Sequence, residues 1–178
     1  MAVVGIPQAF SSACKILADP ETVIRDAIHE DATTIAGIWY DGWRDAHLQL
    51  VPDALAKLRT LESFQERTIN LIGQTRVAQT KDVTGFCICR ADELFQMYVA
   101  PAGRGTGIAQ RLIADAETSF AKAGIEKAWL ACAIGNTRAM RFYENCGWQN
   151  TGREKVSLDT SAGSFELEIL RYEKHFGS

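Results

Sequence analysis

The sequence lacks long apolar runs, an excess of basic residues and the features of an export signal. A membrane-spanning helix needs about 18 or more apolar residues in succession, and because none occurs we predict no membrane partner. The formal net charge of −3 argues against a nucleic-acid partner, since such proteins usually carry a basic excess or stripe. The N-terminus has neither the positive stretch nor the long apolar core of a secretory signal. With a cysteine usage that fits a reducing compartment, a cytoplasmic location is expected.

Residues that bind metals or form disulfides are few and scattered. The five cysteines include no C-x-x-C pair, and the three histidines are far apart. Zinc sites and disulfide frameworks need closer or more regular spacing, so we predict no metal. The cysteines are interpreted as small buried hydrophobic residues in a reducing compartment.

The sequence does contain enough apolar residues for one domain. With 178 residues, 47% of them hydrophobic, its composition is ordinary for a globular protein. We expect residues 1–20 to be an N-terminal extension without an assigned function and residues 21–178 to form the domain. Hydrophobic periodicity predicts a mixed α/β order of strand, two helices, three strands, helix, strand, helix and two strands. The second helix is expected to begin at Pro52 and to carry one stripe of Leu55, Leu58, Leu61, Phe64 and Ile69.

The most informative segment is a glycine-rich turn between a predicted strand and a predicted helix. Val99 ends the strand, Gly103, Gly105 and Gly107 follow, and helical periodicity begins at once. The free N–H groups at a helix N-terminus favour an anion, and Arg104 adds donors that match phosphate oxygens. The glycine spacing fits neither G-x-G-x-x-G nor G-K-[ST], which disfavours a dinucleotide or a nucleoside triphosphate. A plain turn that links strand to helix remains an alternative.

Two blocks of the sequence resemble motifs of the GNAT family of acetyl-CoA-dependent N-acetyltransferases. Arg104-x-x-Gly107-x-Ala109 is similar to the family's [Q/R]-x-x-G-x-[G/A], and residues 136–148 are similar to N-x-x-A-x-x-[FL]-Y-[ED]-x-x-G-[FW]. Both occur in the family's order, and with the element order the resemblance covers roughly residues 22–174. It implies a single-domain α/β fold with a mixed, mostly antiparallel central sheet of about seven strands and helices on both faces.

The resemblance also implies acetyl-CoA as the cosubstrate. In this family the strand before the glycine turn splays from the next strand, and the pantetheine arm lies in the gap. The residues that would bind the cofactor are Met97, Tyr98, Val99, Arg104, Gly105, Thr106, Gly107, Ile108, Ala109 and Asn136. Of these, Asn136 has a second interpretation, because asparagine is also a common helix N-cap.

The implied reaction is direct attack of a primary amine on the acetyl thioester. Tyr143 matches the family tyrosine that donates a hydrogen bond or proton to the departing sulfur, although simple packing on an apolar helix face is an alternative. Glu93, at the start of the strand, is the first candidate for the base, and a solvated strand end is its alternative. Asp45 and His47, between the two early helices, are further candidates for the base.

The acceptor and the assembly state are less constrained by the sequence. We expect the acceptor to be a primary amine of a small molecule, an amino acid or a peptide, and Trp39 and Trp43 are candidates to line its pocket. Two alternatives remain open: a CoA-binding module without turnover, and a protein N-acetyltransferase. A homodimer is expected as a possible assembly, because the last hairpin offers strand edges that can pair.

Overall fold

The computed structural model describes residues 22–160 and 163–176, and the expected extension over residues 1–20 lies outside this range. The strands are β1 (Val23–Asp26), β2 (Thr75–Gln79), β3 (Val83–Arg90), β4 (Glu93–Val99), β5 (Lys127–Ala133), β6 (Gln149–Thr160) and β7 (Gly163–His175). The α-helices of this part of the chain are α1 (Ala32–His47), α2 (Asp53–Leu58), α3 (Leu61–Leu71), α4 (Ile108–Lys122) and α5 (Thr137–Asn145).

The seven strands form one sheet in the order β1-β2-β3-β4-β5-β7-β6. Neighbouring strands are antiparallel except β4 and β5, which are parallel and are connected through α4. The predicted mixed, mostly antiparallel sheet in a single domain is therefore confirmed. No helix in the described ranges is long and apolar enough to cross a membrane.

Helices cover the sheet on both faces and bury two groups of apolar side chains. On one face, Leu112 and Phe120 of α4 pack among buried residues of β5 and β7. On the other, Trp39 of α1 and Phe64 of α3 pack against Phe86 of β3. Burial of each large apolar side chain contributes about 1.5–3 kcal/mol to the stability of the fold. The helices on both faces therefore stabilise the sheet.

The prediction of one helix from Pro52 was wrong, because the chain forms α2 and α3 instead. Arg59 leaves the helical region with φ −97° and ψ 68°. Thr60 then starts α3 by accepting a hydrogen bond from the Ser63 N–H at 3.3 Å, as an N-cap does. Within α3, Phe64 and Ile69 are five residues apart, which places them about 140° apart around the helix, so Phe64 is buried while Ile69 is 48% exposed.

Gly42 in α1 allows the ring of Tyr98 to lie against the helix. A Cβ at Gly42 would stand 2.5 Å from Cδ1 of Tyr98, whereas a Cβ at Gly37 of the same helix would meet nothing within 4 Å. Alanine normally stabilises a helix relative to glycine by about 0.5–1 kcal/mol. At Gly42 the clash reverses that gain.

We expect Gly42→Ala to lower the free energy of unfolding by about 1–3 kcal/mol, the usual effect of overpacking. The matched control, Gly37→Ala, should raise it by about 0.5–1 kcal/mol. Urea unfolding of the two variants measures both changes. Shifts of the same sign in the two variants would contradict the close packing of Tyr98 on α1.

Candidate functional site

The parallel strands β4 and β5 are paired only at their beginnings. The register joins them at Glu93 and Trp129, and the N–H of Trp129 donates to the C=O of Asp92 at 2.9 Å. Further along, β4 continues to pair with β3 and β5 with β7, but the two strands no longer pair with each other. A gap therefore opens in the middle of the sheet.

Backbone donors of β4 face this gap. The N–H of Ala100 donates to the C=O of Thr84 in the β3 direction, at 2.8 Å. Because successive residues of a strand point their backbone groups to opposite sides, the N–H groups of Met97 and Val99 point away from β3. They are directed into the gap.

A cleft of about 490 Å³ runs through the gap, within the size range of small-ligand sites of about 300–1,000 Å³. Of the residues predicted to bind acetyl-CoA, the ones that line it are Met97, Tyr98, Val99, Arg104, Gly105, Gly107, Ala109 and Asn136. Thr106 and Ile108 do not line the cleft. The Thr106 hydroxyl instead donates to the C=O of Gly103 at 2.8 Å, and the Ile108 side chain lies in the core.

The glycine turn exposes the N-terminus of α4 to the cleft. Gly105 and Gly107 have φ of 79° and 86°, in the left-handed region that favours glycine. Gly107 is the N-cap, and no side chain caps the helix there. The first N–H groups of α4 are therefore left for an anion, which the helix dipole also favours. This end of the cleft fits a pyrophosphate.

Arg104 lies beside this helix end but is paired with Asp45. Its Nη2 is 2.9 Å from Oδ2 of Asp45, and Nη2 of Arg138 reaches the same oxygen at 3.4 Å. All three side chains are partly exposed, so each pair contributes at most about 1 kcal/mol. Arg104 can therefore exchange this carboxylate for a phosphate, while Asp45, a candidate base, is held by two cations.

Tyr143 of α5 and Cys132 of β5 both line the cleft and interact electrostatically with each other. The ring packs against Phe142 and Tyr172, with centroids 5.5 and 5.9 Å apart. Burial raises the pKa of Tyr143 above its ordinary value, so the hydroxyl stays protonated and acts as a donor. Burial also raises the pKa of Cys132 to about 11, which leaves its thiol protonated and weakly nucleophilic at neutral pH.

His47, at the end of α1, lines the cleft with one ring nitrogen already engaged. Its Nδ1 lies 3.2 Å from the C=O of Trp43. The imidazole and indole rings of these two residues stack with their centroids 5.6 Å apart. A carbonyl only accepts hydrogen bonds, so Nδ1 carries the proton and Nε2 of the neutral ring is the acceptor. Burial lowers the pKa of His47, which favours this neutral form.

The remaining predicted residues take other positions. Glu93 is half-buried at the start of β4, where burial raises its pKa, and it does not line the cleft. Its role as a base stays a prediction. Asn136 both lines the cleft and caps α5, its Oδ1 accepting from the Ala139 N–H at 3.2 Å. Trp43 lines the cleft, whereas Trp39 is buried in the core.

The cleft also contains residues that the sequence did not single out. Leu158 of β6 and Leu167 and Ile169 of β7 close one side of it. Their only signal is the alternation of apolar and polar residues in the last hairpin. Such alternation predicts a strand face without showing what that face contacts.

The split sheet and the uncapped N-terminus of α4 together form a cleft whose shape and polarity suit an elongated phosphorylated ligand such as a CoA thioester. Comparison with known proteins is consistent with this class. Residues 38–148 match the family described as acetyltransferase (GNAT) family. Because the match spans more than half of the 178 residues, the chain belongs to that family, which is a family of acyltransferase enzymes.

Solved structures show the same fold. A GCN5-related N-acetyltransferase from Rhodopseudomonas palustris superposes with a TM-score of 0.70 at 16% identity, covering 86% of this chain and 95% of that one. The PaiA N-acetyltransferase from Thermoplasma acidophilum, in complex with coenzyme A, gives 0.66 at 20% identity and covers 87% and 99%. At these identities the likeness concerns the fold.

A curated relative matches a shorter part of the chain. Spermidine N(1)-acetyltransferase of Vibrio cholerae is 37% identical over 59 residues. The matched segment is 33% of this chain and 34% of the relative. The chain is thus aligned with about a third of the length of that curated protein.

Proposed function

We propose that the protein transfers an acetyl group from acetyl-CoA to a primary amine of a small molecule, amino acid or peptide. One observation carries this proposal: the gap between β4 and β5 joins the uncapped N-terminus of α4 and the phenol of Tyr143 in a single cleft. A phosphate-binding end and a proton donor in one cleft are the parts that a CoA-dependent transferase needs.

The cofactor-binding residues have separate tasks in this proposal. The free N–H groups at the start of α4 and the guanidinium of Arg104 would hold the pyrophosphate. The gap-side backbone groups of Met97 and Val99 would bind the pantetheine arm and stabilise negative charge on the thioester oxygen. Acetyl-CoA supplies an activated acyl carbon, which the amine attacks directly.

Proton transfers would be divided between two side chains. The amine nitrogen forms the new N–C bond and becomes acidic as it does so, and Nε2 of His47 accepts its proton. The C–S bond breaks, and Tyr143 donates a hydrogen bond or proton to the departing sulfur. The protonated thiol of Cys132 makes a covalent acetyl-cysteine route unfavourable. Glu93 would need an intervening water to serve as the base.

The class of acceptor, the cellular location and the assembly state are also proposals. The name of the Vibrio relative suggests a polyamine acceptor, but the described cleft residues include no Asp or Glu to receive a second ammonium group. A cytoplasmic location rests on the cysteine usage. A homodimer is supported by β6, a 12-residue strand at the edge of the sheet that residues 22–160 and 163–176 form.

An acceptor screen tests the function. The protein is titrated with acetyl-CoA in a calorimeter and then incubated with acetyl-CoA and a panel of amines while free thiol is measured. Binding together with amine-dependent thiol release supports the proposal. Binding without release from any amine or peptide would identify a CoA-binding module, and the absence of binding would overturn the cofactor assignment itself.

We expect Gly107→Ala to weaken acetyl-CoA binding about tenfold. An alanine in the left-handed region costs about 1–2 kcal/mol. The backbone relaxes to relieve this strain, and the N–H donors then point away from the phosphate. One hydrogen bond to a charged group is worth about 1.5–3 kcal/mol, and about 1.4 kcal/mol corresponds to tenfold. Calorimetry with acetyl-CoA measures the loss.

Gly124→Ala is the matched control, because Gly124 ends the same helix with φ 73° and open space around it. Both variants should lose similar stability in urea, through the same backbone strain. Only the Gly107 variant should lose affinity. Equal affinities for acetyl-CoA in the two variants would show that the turn does not hold the pyrophosphate.

A further inference from the structure

The cleft has two halves on opposite faces of the sheet. Tyr143 and the start of α4 belong to the face covered by α4 and α5. The other half, called here the acceptor half, lies under α1 and α2. It is defined by Trp43, His47, Val51, Leu55, Tyr98, Leu167 and Ile169. Since the proposed cofactor site uses the first half, the acceptor half is left for the amine.

The acceptor half is apolar, with few polar groups. Leu55 and Ile169 are 1% and 3% exposed, so the walls at these points are closely packed. Its titratable groups are His47 and the phenol of Tyr98. Burial raises the pKa of Tyr98 above its ordinary value, so this phenol is neutral. A long alkyl or aryl group would bury its apolar surface here at about 25 cal/mol per Å².

Negative charge is missing from the described residues that line the cleft. Among them the permanently charged side chains are Arg104 and Arg138, both cationic. A ligand with a second ammonium group would have to bury that charge without a partner, which is costly. Both arginines contact Asp45, which does not line the cleft, and the three side chains together keep a net positive charge that disfavours a second ammonium group.

Aromatic rings do not replace the missing carboxylates. A cation can bind over an open aromatic face, but the rings of Trp43 and Tyr98 are engaged by packing. The Trp43 ring stacks on His47 with an interplanar angle of 20°. The Tyr98 ring lies against Gly42, and its centroid is 5.9 Å from the centroid of the Phe86 ring. The rings therefore act as apolar walls.

We infer that the acceptor is a primary monoamine carried on an extended apolar body, alkyl or aryl, and that amines with a second positive charge are rejected. The inference rests on the proposed function. The step is the one described above: the N–C bond forms, the C–S bond breaks, one proton leaves the nitrogen and one reaches the sulfur.

A matched pair of amines tests the inference. Hexylamine and diaminohexane have the same chain length and differ by the second amine at the far end. With saturating acetyl-CoA, kcat/KM from thiol release is compared after correction for the neutral fraction of each amine. We expect hexylamine, and likewise phenylethylamine, to exceed diaminohexane by at least about tenfold, the equivalent of about 1.4 kcal/mol. An equal or higher value for diaminohexane would overturn the inference.

A charge introduced into the acceptor half gives a second test. Leu167 is half-buried in β7 and lines the cleft, so a longer polar side chain is accommodated there. Leu167→Glu should reduce the ratio of kcat/KM for hexylamine to that for diaminohexane about tenfold, because the new carboxylate pairs with the second ammonium group. Leu167→Gln has the same shape without the charge and should keep the wild-type preference. An unchanged preference in the Glu variant would count against the inference.

The failure of the inference is distinguishable from that of the proposed function. Turnover of diaminohexane in preference to hexylamine leaves an acetyltransferase with a different acceptor. Thiol release from no amine, with acetyl-CoA still bound, removes the proposed function and the inference together. Calorimetric titration of the acetyl-CoA complex with hexylamine would in that case show whether the acceptor half binds apolar amines at all.

Discussion

Replacement of Tyr143 by Phe is expected to lower kcat by about 100-fold or more, with acetyl-CoA affinity changed less than twofold. The size follows from the loss of a general acid, which typically costs about 10²–10⁴-fold. The ring stays in place, because its contacts with Phe142 and Tyr172 are made by carbon atoms. The substitution therefore removes the hydroxyl and little else.

Tyr172→Phe is the control for this experiment. Tyr172 touches the Tyr143 ring, but its hydroxyl donates to Oε1 of Glu144 at 3.1 Å and it does not line the cleft. Its loss should lower stability by about 1 kcal/mol, as for one hydrogen bond, and leave kcat unchanged. Turnover of the Tyr143 variant at the wild-type rate, in a folded protein, would exclude the phenol as proton donor.

The direction of the pH shift in activity follows from the pKa of Tyr143. The raised pKa of Tyr143 means that the neutral phenol persists above its ordinary value of about 10. Loss of activity through ionisation of Tyr143 should therefore appear only at strongly alkaline pH. A basic limb near neutrality in the kcat profile would have to come from another group.

Local patterns predicted the glycine turn and the helix that follows it. Strand, glycines and helix follow one another in sequence, so the turn at Gly105 and Gly107 and the N-terminus of α4 could be read from neighbouring residues. The seven-stranded mixed sheet was likewise predicted correctly. Thr106 shows the limit of such reading, because its hydroxyl turns back to Gly103 and not into the cleft.

The acceptor half could not be predicted in the same way. It is assembled from α1, α2, β4 and β7, which are distant in sequence, and no motif links Leu167 to Trp43. The pairing of Arg104 with Asp45 joins residues 59 positions apart (104 − 45) and depends on how α1 crosses the sheet. A β-bulge also matters, since Ile88 pairs with Gln96 while Cys89 pairs with Leu94.

That bulge changes which face each side chain of β4 takes. In a regular strand Glu93, Phe95, Met97 and Val99 would share one face. Here Met97 and Val99 pack on the α4 side, whereas Phe95 packs on the α1 side. Sequence alternation alone therefore gives no reliable orientation for Glu93, the carboxylate at the start of the same strand.

Replacement of His47 by Asn is expected to lower kcat about 100-fold at pH 7, the typical cost of losing a general base. An Asn amide can still donate to the C=O of Trp43, as Nδ1 does at 3.2 Å. The variant lacks an acceptor at the position of Nε2. His47→Gln places an amide oxygen there, which accepts a hydrogen bond without taking the proton, and should be equally slow.

The kcat profile distinguishes a base from a structural residue. In the wild type, His47 must be neutral, so activity should fall as the pH drops through its pKa, which burial holds below the ordinary value of about 6.5. The neighbouring phenol, Tyr98, stays neutral over this range, and Asp45 keeps its contact with Arg138 when Arg104 turns to the phosphate.

Both variants should lose this acidic limb. Their rates should instead rise steadily with pH, without a break near the pKa of His47, because solvent hydroxide takes the proton from the attacking nitrogen. An acidic limb that persists in His47→Asn would assign the base to another group. Glu93 would then be the residue to replace, with Glu93→Gln removing the limb if a water connects its carboxylate to the amine.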